Sequence, residues 1–359
     1  MNEAVNTHSE INGRRNFLKR LSAGAAGLAL GSLYSTGDAS TRSAVPQNSR
    51  VSFVTGNDQR ETACQALKPL EKDIQKDIGD KQVVIKVNMG QIRKDWWLNA
   101  SDANQVRGIL DFLAPIYDRK VIVAESTAAN AKSTLEGFEN YNYMPMLKEY
   151  NVRFADLNAE STTTMWIKDE NNHPLAINII DTFLDPNVYL ISATRLKSHN
   201  CVIATLSLKN VVMAAPINHY KLKQAEGRNE KPKMHSGGNR GLSYNIFLLA
   251  NMGIRPDLAV LDGVVGMEGD GPVSGTPVEQ GVALASSDWL AADRLGVELM
   301  GMDYDEVKYL HWCADAGMGL DDLSKIKITG PDFKKHIMTY KLHKNIDQQR
   351  EWIEEDYKK

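Results

Sequence analysis

Short apolar runs alternate along the chain with segments in which apolar residues recur every three or four positions. Buried strands are predicted by four runs in the first half: VSFVTG from Val51, KQVVIKVN from Lys81, KVIVAES from Lys120 and NVRFADLN from Asn151. The helical period is found between them, over Asp58–Lys76, 104–117 and Leu135–Tyr150. Strands that alternate with amphipathic helices are typical of a parallel sheet covered by helices. The pattern therefore predicts an α/β fold with a mostly parallel sheet flanked by helices.

Residues 162–181 interrupt this alternation, because two β-rich runs flank the polar turn DENNHP. Such a pattern predicts a β-hairpin inserted into the α/β domain. The α/β pattern then returns, with strands from Asn187 and Pro256 and a helix over Asn239–Met252. We expect an α/β domain over residues 51–332, compatible with two closely packed lobes, 51–160 and 161–332. A peripheral C-terminal helix is expected within 333–359.

The first 39 residues have the pattern of an export signal. Arg14 and Arg15 precede a Gly/Ala-rich apolar run, and Gly37–Ala39 offers small residues for cleavage. The run is too short and too weakly apolar for a transmembrane span. We predict a twin-arginine (Tat) signal peptide over 1–39 and a linker over 40–50. Export by the Tat translocase to the periplasm follows, with no stable membrane span. The alternative is a flexible basic leader.

Charge and cysteine content narrow the function classes. The 359-residue chain has a formal net charge of −3, which excludes a broadly basic nucleic-acid-binding protein. It contains three cysteines, Cys64, Cys201 and Cys313, and no C-x-x-C pair. An iron–sulfur cluster needs a set of cysteine ligands, so no such cluster is expected.

Polar side chains stand at the carboxyl ends of four predicted strands. They are Lys86 and Asn88, Glu125 and Ser126, Lys197 and His199, and Asp262. Ligands of open α/β sheets bind at that edge, so these residues predict a polar cleft for a small anionic or polyhydroxylated molecule. Such a lysine can bind an anion, act as a base or form an imine, and its structural alternative is an ion pair with Glu125 or Asp262. His199 can be a general acid/base, a metal ligand or a core histidine.

The segment after the His199 strand is the most basic of the chain. Residues 218–241 are interpreted either as a cationic lid over the cleft or as a solvated loop. Gly237 and Gly238 precede a helix, whose free N–H groups are suited to bind an anion. Together with His199, His219 and His235 are the candidates for a metal site, although their spacing matches no compact metal motif.

Lys209 lies between the largely apolar runs TLSL and NVVM. A buried unpaired charge is costly, so this lysine is expected to have a carboxylate partner, an anionic ligand or a covalent modification.

Four runs resemble the domain-of-unknown-function 362 family. They are VVIKVN, RLKSHNCVIATLSLKN, DLAVLDGVVGMEGDGPVSGTP and ALASSDWLAADRLGVELMG, and they cover most of 83–330. Many members of that family carry an added ferredoxin-like module with clustered cysteines, which this chain lacks. The family name itself implies no activity.

The layout from His199 to Lys209 is also similar to a loop of the nickel-pincer lactate racemase family. That resemblance implies His199 as acid/base, Lys209 as the attachment point of a pincer cofactor, and His219 or His235 as a nickel ligand. The racemases have Ser-Gly-Gly before the lysine, whereas this chain has TLSLK.

Residues and resemblances together predict an exported protein that binds a small anionic ligand. If it is an enzyme, we expect an isomerase, epimerase or lyase with His199 as acid/base and Lys197 or Lys86 holding the anion. A redox-associated protein, as the ferredoxin-bearing relatives imply, is one alternative. A non-catalytic periplasmic binding protein is the other.

Overall fold

The computed structural model describes residues 49–129, 133–219 and 229–357. The predicted signal peptide, most of the predicted linker and the central part of the predicted lid lie outside these residues. Within the described ranges, no helix combines the length and the apolar character that a bilayer crossing requires.

A mixed sheet of ten strands forms the centre of the fold, and it confirms the predicted α/β class. The strands along its path are β1 (Arg50–Thr55), β2 (Gln82–Lys86), β3 (Val121–Glu125), β4 (Val152–Asp156), β7 (Val188–His199), β9 (Leu258–Glu268), β11 (Val282–Ser286) and β12 (Lys327–Thr329). Their order is β12-β1-β11-β9-β7-β2-β3-β4, while β8 (Ile203–Thr205) pairs with β7 and β10 (Thr276–Val278) pairs with β9. Neighbouring strands from β9 to β4 are parallel, and β11 runs antiparallel to β1 and β9.

The predicted hairpin is present as a separate two-stranded antiparallel sheet, β5 (Thr162–Lys168) and β6 (Pro174–Ile180). The division into lobes at residue 160 stays a prediction. Strands from both of the predicted lobes hydrogen-bond into the same large sheet.

Helices cover both faces of the sheet, because alternate residues of the central strands point to opposite faces. One face packs against α1 (Gln59–Leu67), α2 (Glu71–Ile78), α3 (Ala103–Leu113), α4 (Leu135–Asn140) and α5 (Met146–Glu149). The other packs against the hairpin and α6 (Ser207–Val212), α7 (Gly238–Asn251), α8 (Trp289–Leu299) and α9 (Lys308–Asp315). Val83 and Ile85 belong to the first apolar cluster, and Val84 belongs to the second.

Two segments predicted as single helices are divided. Pro69 has no backbone N–H and clashes with the preceding turn, so the segment Asp58–Lys76 becomes α1, a 3₁₀ turn and α2. The segment Leu135–Tyr150 becomes α4 and α5. Asn142 between them adopts a left-handed conformation, with φ of 62°.

The C-terminal region ends in α10 (Ile346–Tyr357). Its buried Gln349 accepts a hydrogen bond from the N–H of Ile203 and donates one to the carbonyl oxygen of His199. The helix therefore holds the turn between β7 and β8, where one of the predicted site residues lies.

Candidate functional site

A cavity of about 380 Å³ opens where β2, β3 and β7 end. These strands are parallel neighbours, so their carboxyl ends meet at one edge. The polar side chains on its walls are Lys86, Asn88, Gln91, Asn99, Glu125, Ser126, Lys197, His199, Thr205, Lys209, Asn210, Asn229, Lys231 and His235. Most of the predicted site residues thus lie around a single cavity.

Lys86 at the end of β2 forms an ion pair with Glu125 at the end of β3. The Nζ and Oε1 atoms are 2.9 Å apart, and both side chains are buried. The same ammonium group also donates to the carbonyl oxygen of Val87 and to Oδ1 of Asn210. Burial lowers the pKa of Lys86, and the carboxylate of Glu125 opposes that shift. Lys86 therefore has the structural partner that the sequence offered as an alternative.

Lys197 reaches the cavity from β7, where the pairing with β9 slips between Arg195 and Lys197. Its Nζ donates to the carbonyl oxygen of Asn99 at 2.7 Å and to the side chain of Asn88. Among the described residues, Lys197 forms no ion pair with a carboxylate. Burial holds the pKa of Lys197 well below its usual range, and Lys209 lowers it further.

The helix α6 brings Lys209 to the cavity, and Asp293 of α8 fixes its first turn. The carboxylate of Asp293 accepts hydrogen bonds from the N–H groups of Ser207 and Leu208, at 2.8 and 3.0 Å, and from the hydroxyl of Ser207. These N–H groups would otherwise lack partners at the start of the helix. Burial raises the pKa of Asp293 to about 7.

His199 and Lys209 contact each other directly, with Nε2 and Nζ 2.9 Å apart. The other ring nitrogen of His199, Nδ1, accepts a hydrogen bond from the backbone N–H of Cys201 at 3.0 Å. Burial, the largest cause, holds the pKa of His199 well below its usual range, so the ring is neutral. Its single proton is then on Nε2, because Nδ1 acts as an acceptor.

These two hydrogen bonds of His199 determine the charge state of Lys209. If Nε2 of His199 donates its proton, the Nζ atom of Lys209 must accept it, and only a neutral amine has a free lone pair. Both hydrogen bonds of the ring therefore form together only when Lys209 is uncharged. Burial lowers the pKa of Lys209 to about 8, so the neutral amine is accessible near neutral pH. Of the three alternatives expected for Lys209, a carboxylate partner is not found among the described residues, which leaves the anionic ligand and the covalent modification.

Lys231 is a fourth lysine of the cavity, which the sequence analysis had placed only in the basic segment. Its Nζ donates to the hydroxyl of Ser126 at 3.1 Å and to the carbonyl oxygens of Met213 and Ala214, at 3.1 and 3.0 Å. Burial lowers the pKa of Lys231 to about 7. His235, from the same 3₁₀ turn, is an exposed residue on the cavity wall.

Four predicted site residues lie away from this cavity. Asp262 is in the middle of β9, where its Oδ1 accepts the N–H of Val264 and its Oδ2 is 4.0 Å from the guanidinium of Arg195. Gly237 and Gly238 begin α7, and Gly237 lies close to Glu170 of the hairpin turn. His219 is not among the residues that line the cavity.

A metal centre is not formed by the side chains that the structure describes. No group of three or more His, Cys, Asp or Glu residues in these ranges is arranged to hold an ion. The resemblance implied His219 or His235 as a nickel ligand, and His235 lies on the cavity wall whereas His219 is not among the lining residues. We assign no chemical step to a metal.

The family model for Domain of unknown function (DUF362) matches residues 83–298, which is more than half of the chain. The chain belongs to this family. The match contains the strands, the helix α6 and the lysines that build the cavity, so the site is made from the part of the chain that defines a DUF362 protein.

A curated relative is similar to part of this DUF362 protein. It is the thylakoid-associated protein sll1697 of Synechocystis sp., 27% identical over 165 residues, or 46% of this chain and 47% of that protein. The match thus spans about half the length of that relative.

Two solved structures are similar to this DUF362 protein. The lactate racemase apoprotein from Thermoanaerobacterium thermosaccharolyticum has a TM-score of 0.39 and 13% identity, covering 72% of this chain and 57% of that one. A protein from Thermotoga maritima has a TM-score of 0.38 and 10% identity, covering 71% and 58%. The first of these is a lactate racemase, the kind of protein named in the sequence resemblance above. At such scores nothing about the site is inferred from either structure.

Proposed function

We propose that this protein binds a small anionic molecule in the cavity and transfers protons on it, as an isomerase, epimerase or lyase. One observation carries the proposal. Lys197 and Lys231 are buried around one cavity, and neither has a carboxylate partner among the described residues. Glu125 is the single acidic residue among the described lining residues, and it is paired with Lys86. An anionic ligand would supply the missing negative charge.

His199 is the proposed acid/base, because its neutral ring lies against an uncharged amine. In this pair Nε2–H of His199 can donate a proton, and the neutral Nζ of Lys209, 2.9 Å away, can accept one from a carbon next to a carbonyl or hydroxyl group, so that protons pass between the two side chains. Lys197 is placed to stabilise the negative charge that develops on the neighbouring oxygen. A lysine that the bound anion keeps protonated is effective in that role.

Export through the Tat pathway is part of the proposal, and it is supported by Arg14, Arg15 and the short apolar run that follows them. The Synechocystis relative is named for an association with thylakoids, which is in keeping with a protein that works outside the cytoplasm. The periplasm is the proposed location.

Anion binding is tested by thermal shift with malonate, phosphate and, as a neutral control of similar size, glycerol. We expect malonate or phosphate to raise the melting temperature of the wild type and glycerol to have no effect. Lys197→Met should reduce the shift, because one charge-assisted hydrogen bond contributes about 1.5–3 kcal/mol. Lys325→Met is the matched control, since Lys325 is exposed and lies outside the cavity. An unchanged shift in Lys197→Met would place the anion site elsewhere.

A deuterium-exchange assay distinguishes an enzyme that transfers protons from a protein that only binds its ligand. The protein is incubated in D₂O with a panel of 2-hydroxy and 2-oxo carboxylates, and deuterium at the carbon next to the carboxylate or carbonyl is followed by NMR. We expect exchange with at least one member of the panel and its loss in His199→Gln. His173→Gln, at an exposed histidine of the hairpin turn, is the control. Binding without exchange in the wild type would favour the binding protein.

A further inference from the structure

Three of the four cavity lysines act as hydrogen-bond donors, and the fourth does not. Lys86 donates to the backbone of Val87 and to Asn210 and is paired with Glu125. Lys231 donates to three oxygen atoms, and Lys197 donates to two. Lys209 has one polar partner among the described residues, Nε2 of His199, and that ring nitrogen carries the proton. In the folded protein the amine of Lys209 is therefore neutral, and its lone pair accepts the hydrogen bond from His199.

We propose that Lys209 is a nucleophile that forms an imine with an aldehyde or ketone carrying a carboxylate or phosphate group. The proposal rests on the proposed function, because the same cavity lysines must hold the anionic group. A neutral amine beside an acid/base histidine is the combination that imine formation requires. Of the cavity lysines, only Lys209 offers this combination within the described residues.

The reaction balances without any further reagent. The lone pair of Nζ attacks the carbonyl carbon, and the electron pair of the C=O bond moves to the oxygen, which takes up a proton. The resulting carbinolamine loses that oxygen as water, and a C=N bond replaces the C–O bond. His199, whose Nε2 is 2.9 Å from Nζ, can donate its Nε2 proton to the carbonyl oxygen as Nζ attacks, and the freed Nε2 lone pair then accepts a proton that leaves Nζ. The same exchange protonates the departing hydroxyl group and leaves His199 with one proton on Nε2. Hydrolysis reverses these steps and releases the lysine.

The walls of the cavity select the class of carbonyl compound. Lys197 and Lys231 stand on the cavity wall with no carboxylate partner among the described residues, so they can hold the anionic end while Lys209 reaches the carbonyl carbon. A volume of about 380 Å³ fits a small molecule of a few carbon atoms. Asn88 adds a neutral hydrogen-bonding group that can orient a hydroxyl group of the same molecule.

Borohydride trapping tests the proposal on the full-length protein. Glyoxylate, a small anionic aldehyde, is added with sodium borohydride, which reduces an imine to a stable secondary amine. Peptide mapping then compares the rate of labelling at Lys209 with that at exposed Lys325. We expect Lys209 to be labelled at least about tenfold faster near neutral pH, because its lowered pKa leaves far more neutral amine. Equal rates would overturn the proposal.

A matched aldehyde tests the role of the anionic group. Glycolaldehyde is the neutral counterpart of glyoxylate. The two aldehydes differ in intrinsic reactivity, so the labelling of Lys209 by each is divided by the labelling of Lys325 by the same aldehyde. We expect glyoxylate to be preferred at Lys209, and we expect Lys197→Met to remove that preference without abolishing labelling by glycolaldehyde. Competition with malonate and with phosphate shows which anionic group the cavity prefers. If Lys209 shows no preference for glyoxylate, the assigned substrate class is wrong.

The pH profile gives an independent readout. Groups that face Lys209 are His199, Cys201, Lys197 and His235. The labelling rate at Lys209 should rise with pH and level off above about pH 8, where the amine is neutral. A rate that continues to rise through pH 10, about the range of an ordinary lysine, would contradict a preformed neutral amine.

Failure of this proposal can be told apart from failure of the proposed function. If malonate or phosphate stabilises the protein but Lys209 is not trapped, the imine is excluded and the anion site stands. If neither effect is seen, both are excluded. Lys209→Met, with its fold checked by circular dichroism, should lose trapping and keep malonate binding. The wild-type peptide map remains decisive if this variant does not fold.

Discussion

The charge state of Lys209 can be measured through the pH dependence of stability. Its Nζ atom is buried, its polar partner among the described residues is His199, and burial lowers its pKa to about 8. In the unfolded chain the same group has its ordinary pKa, about 10.4. Between these two pH values the unfolded state binds a proton that the folded state does not. The free energy of unfolding therefore rises with pH across this window, and Lys209→Met lacks that contribution.

The expected magnitude follows from the size of the pKa shift. One pKa unit corresponds to about 1.4 kcal/mol, so the full window is worth about 3 kcal/mol. Between about pH 7.5 and pH 10, the difference in unfolding free energy between wild type and Lys209→Met should change by about 2 kcal/mol in favour of the wild type. The variant also leaves Nε2–H of His199 without a partner, which costs about 1–3 kcal/mol. That cost does not change with pH in this range, so the slope is the diagnostic quantity.

The assay is urea unfolding of both proteins at a series of pH values, followed by circular dichroism. Taking the difference between two proteins cancels the groups that they share. Lys325→Met, at an exposed lysine beside Asp322, controls for the loss of one lysine charge from the surface. If the difference between wild type and Lys209→Met is constant with pH, Lys209 is charged in the folded protein. The neutral-amine interpretation would then be wrong.

Three further predictions concern other parts of the chain. Lys231→Met should show the same effect from a lower starting point, about pH 7, because the pKa of Lys231 is lowered further; urea unfolding measures it. Asp293→Asn should reduce stability by about 1–3 kcal/mol and weaken malonate binding, since an amide cannot accept all the hydrogen bonds that the carboxylate accepts at the start of α6; unfolding and calorimetry measure the two effects. Replacement of Arg14 and Arg15 by lysine should leave the protein in the cytoplasm at precursor length, and periplasmic protein in that variant would refute Tat export.

The general architecture could be predicted because it depends on local patterns. Buried strands that alternate with amphipathic helices indicated the parallel sheet, and two β-rich runs around a polar turn indicated the hairpin. Helix ends were harder to predict, since Pro69 and Asn142 interrupt segments whose apolar period continues across them. A conformation that breaks a helix at one residue hardly changes the hydrophobic pattern around it.

The cavity was only partly predictable, because local strand ends place some of its residues and tertiary packing places the others. Lys86, Glu125 and Lys197 follow from strand ends in a parallel sheet. Asp262 was expected beside them, but β9 continues to Glu268, so Asp262 lies in mid-strand next to Arg195. Its location depends on how far the strand extends, which the apolar pattern of GVVGM does not show.

Lys231 and Asp293 were not predicted as site residues for a different reason. Lys231 is part of a basic segment with the composition of a solvated loop. The 3₁₀ turn that begins at Lys231 places its Nζ atom within hydrogen-bonding distance of the carbonyl oxygens of Met213 and Ala214. Asp293 lies in a helix whose pattern indicates a buried face, and its partner Ser207 is far away in the sequence. Contacts of this kind are set by tertiary packing and leave no periodic signal.

The lysines of the cavity also explain why an anion should bind with proton uptake. Burial lowers the pKa of each lysine, and repulsion from neighbouring lysines adds to the effect at Lys197 and Lys231, so part of their charge is lost near neutral pH. An anion that enters the cavity reverses the sign of the nearby potential and raises those pKa values. Lys197 and Lys231 then become protonated as the ligand binds, and affinity should fall as pH rises above about 7 to 8. Lys209, in contrast, must be unprotonated if it reacts as an amine. The cavity therefore has an optimum pH at which the holding lysines are charged and the reacting lysine is not.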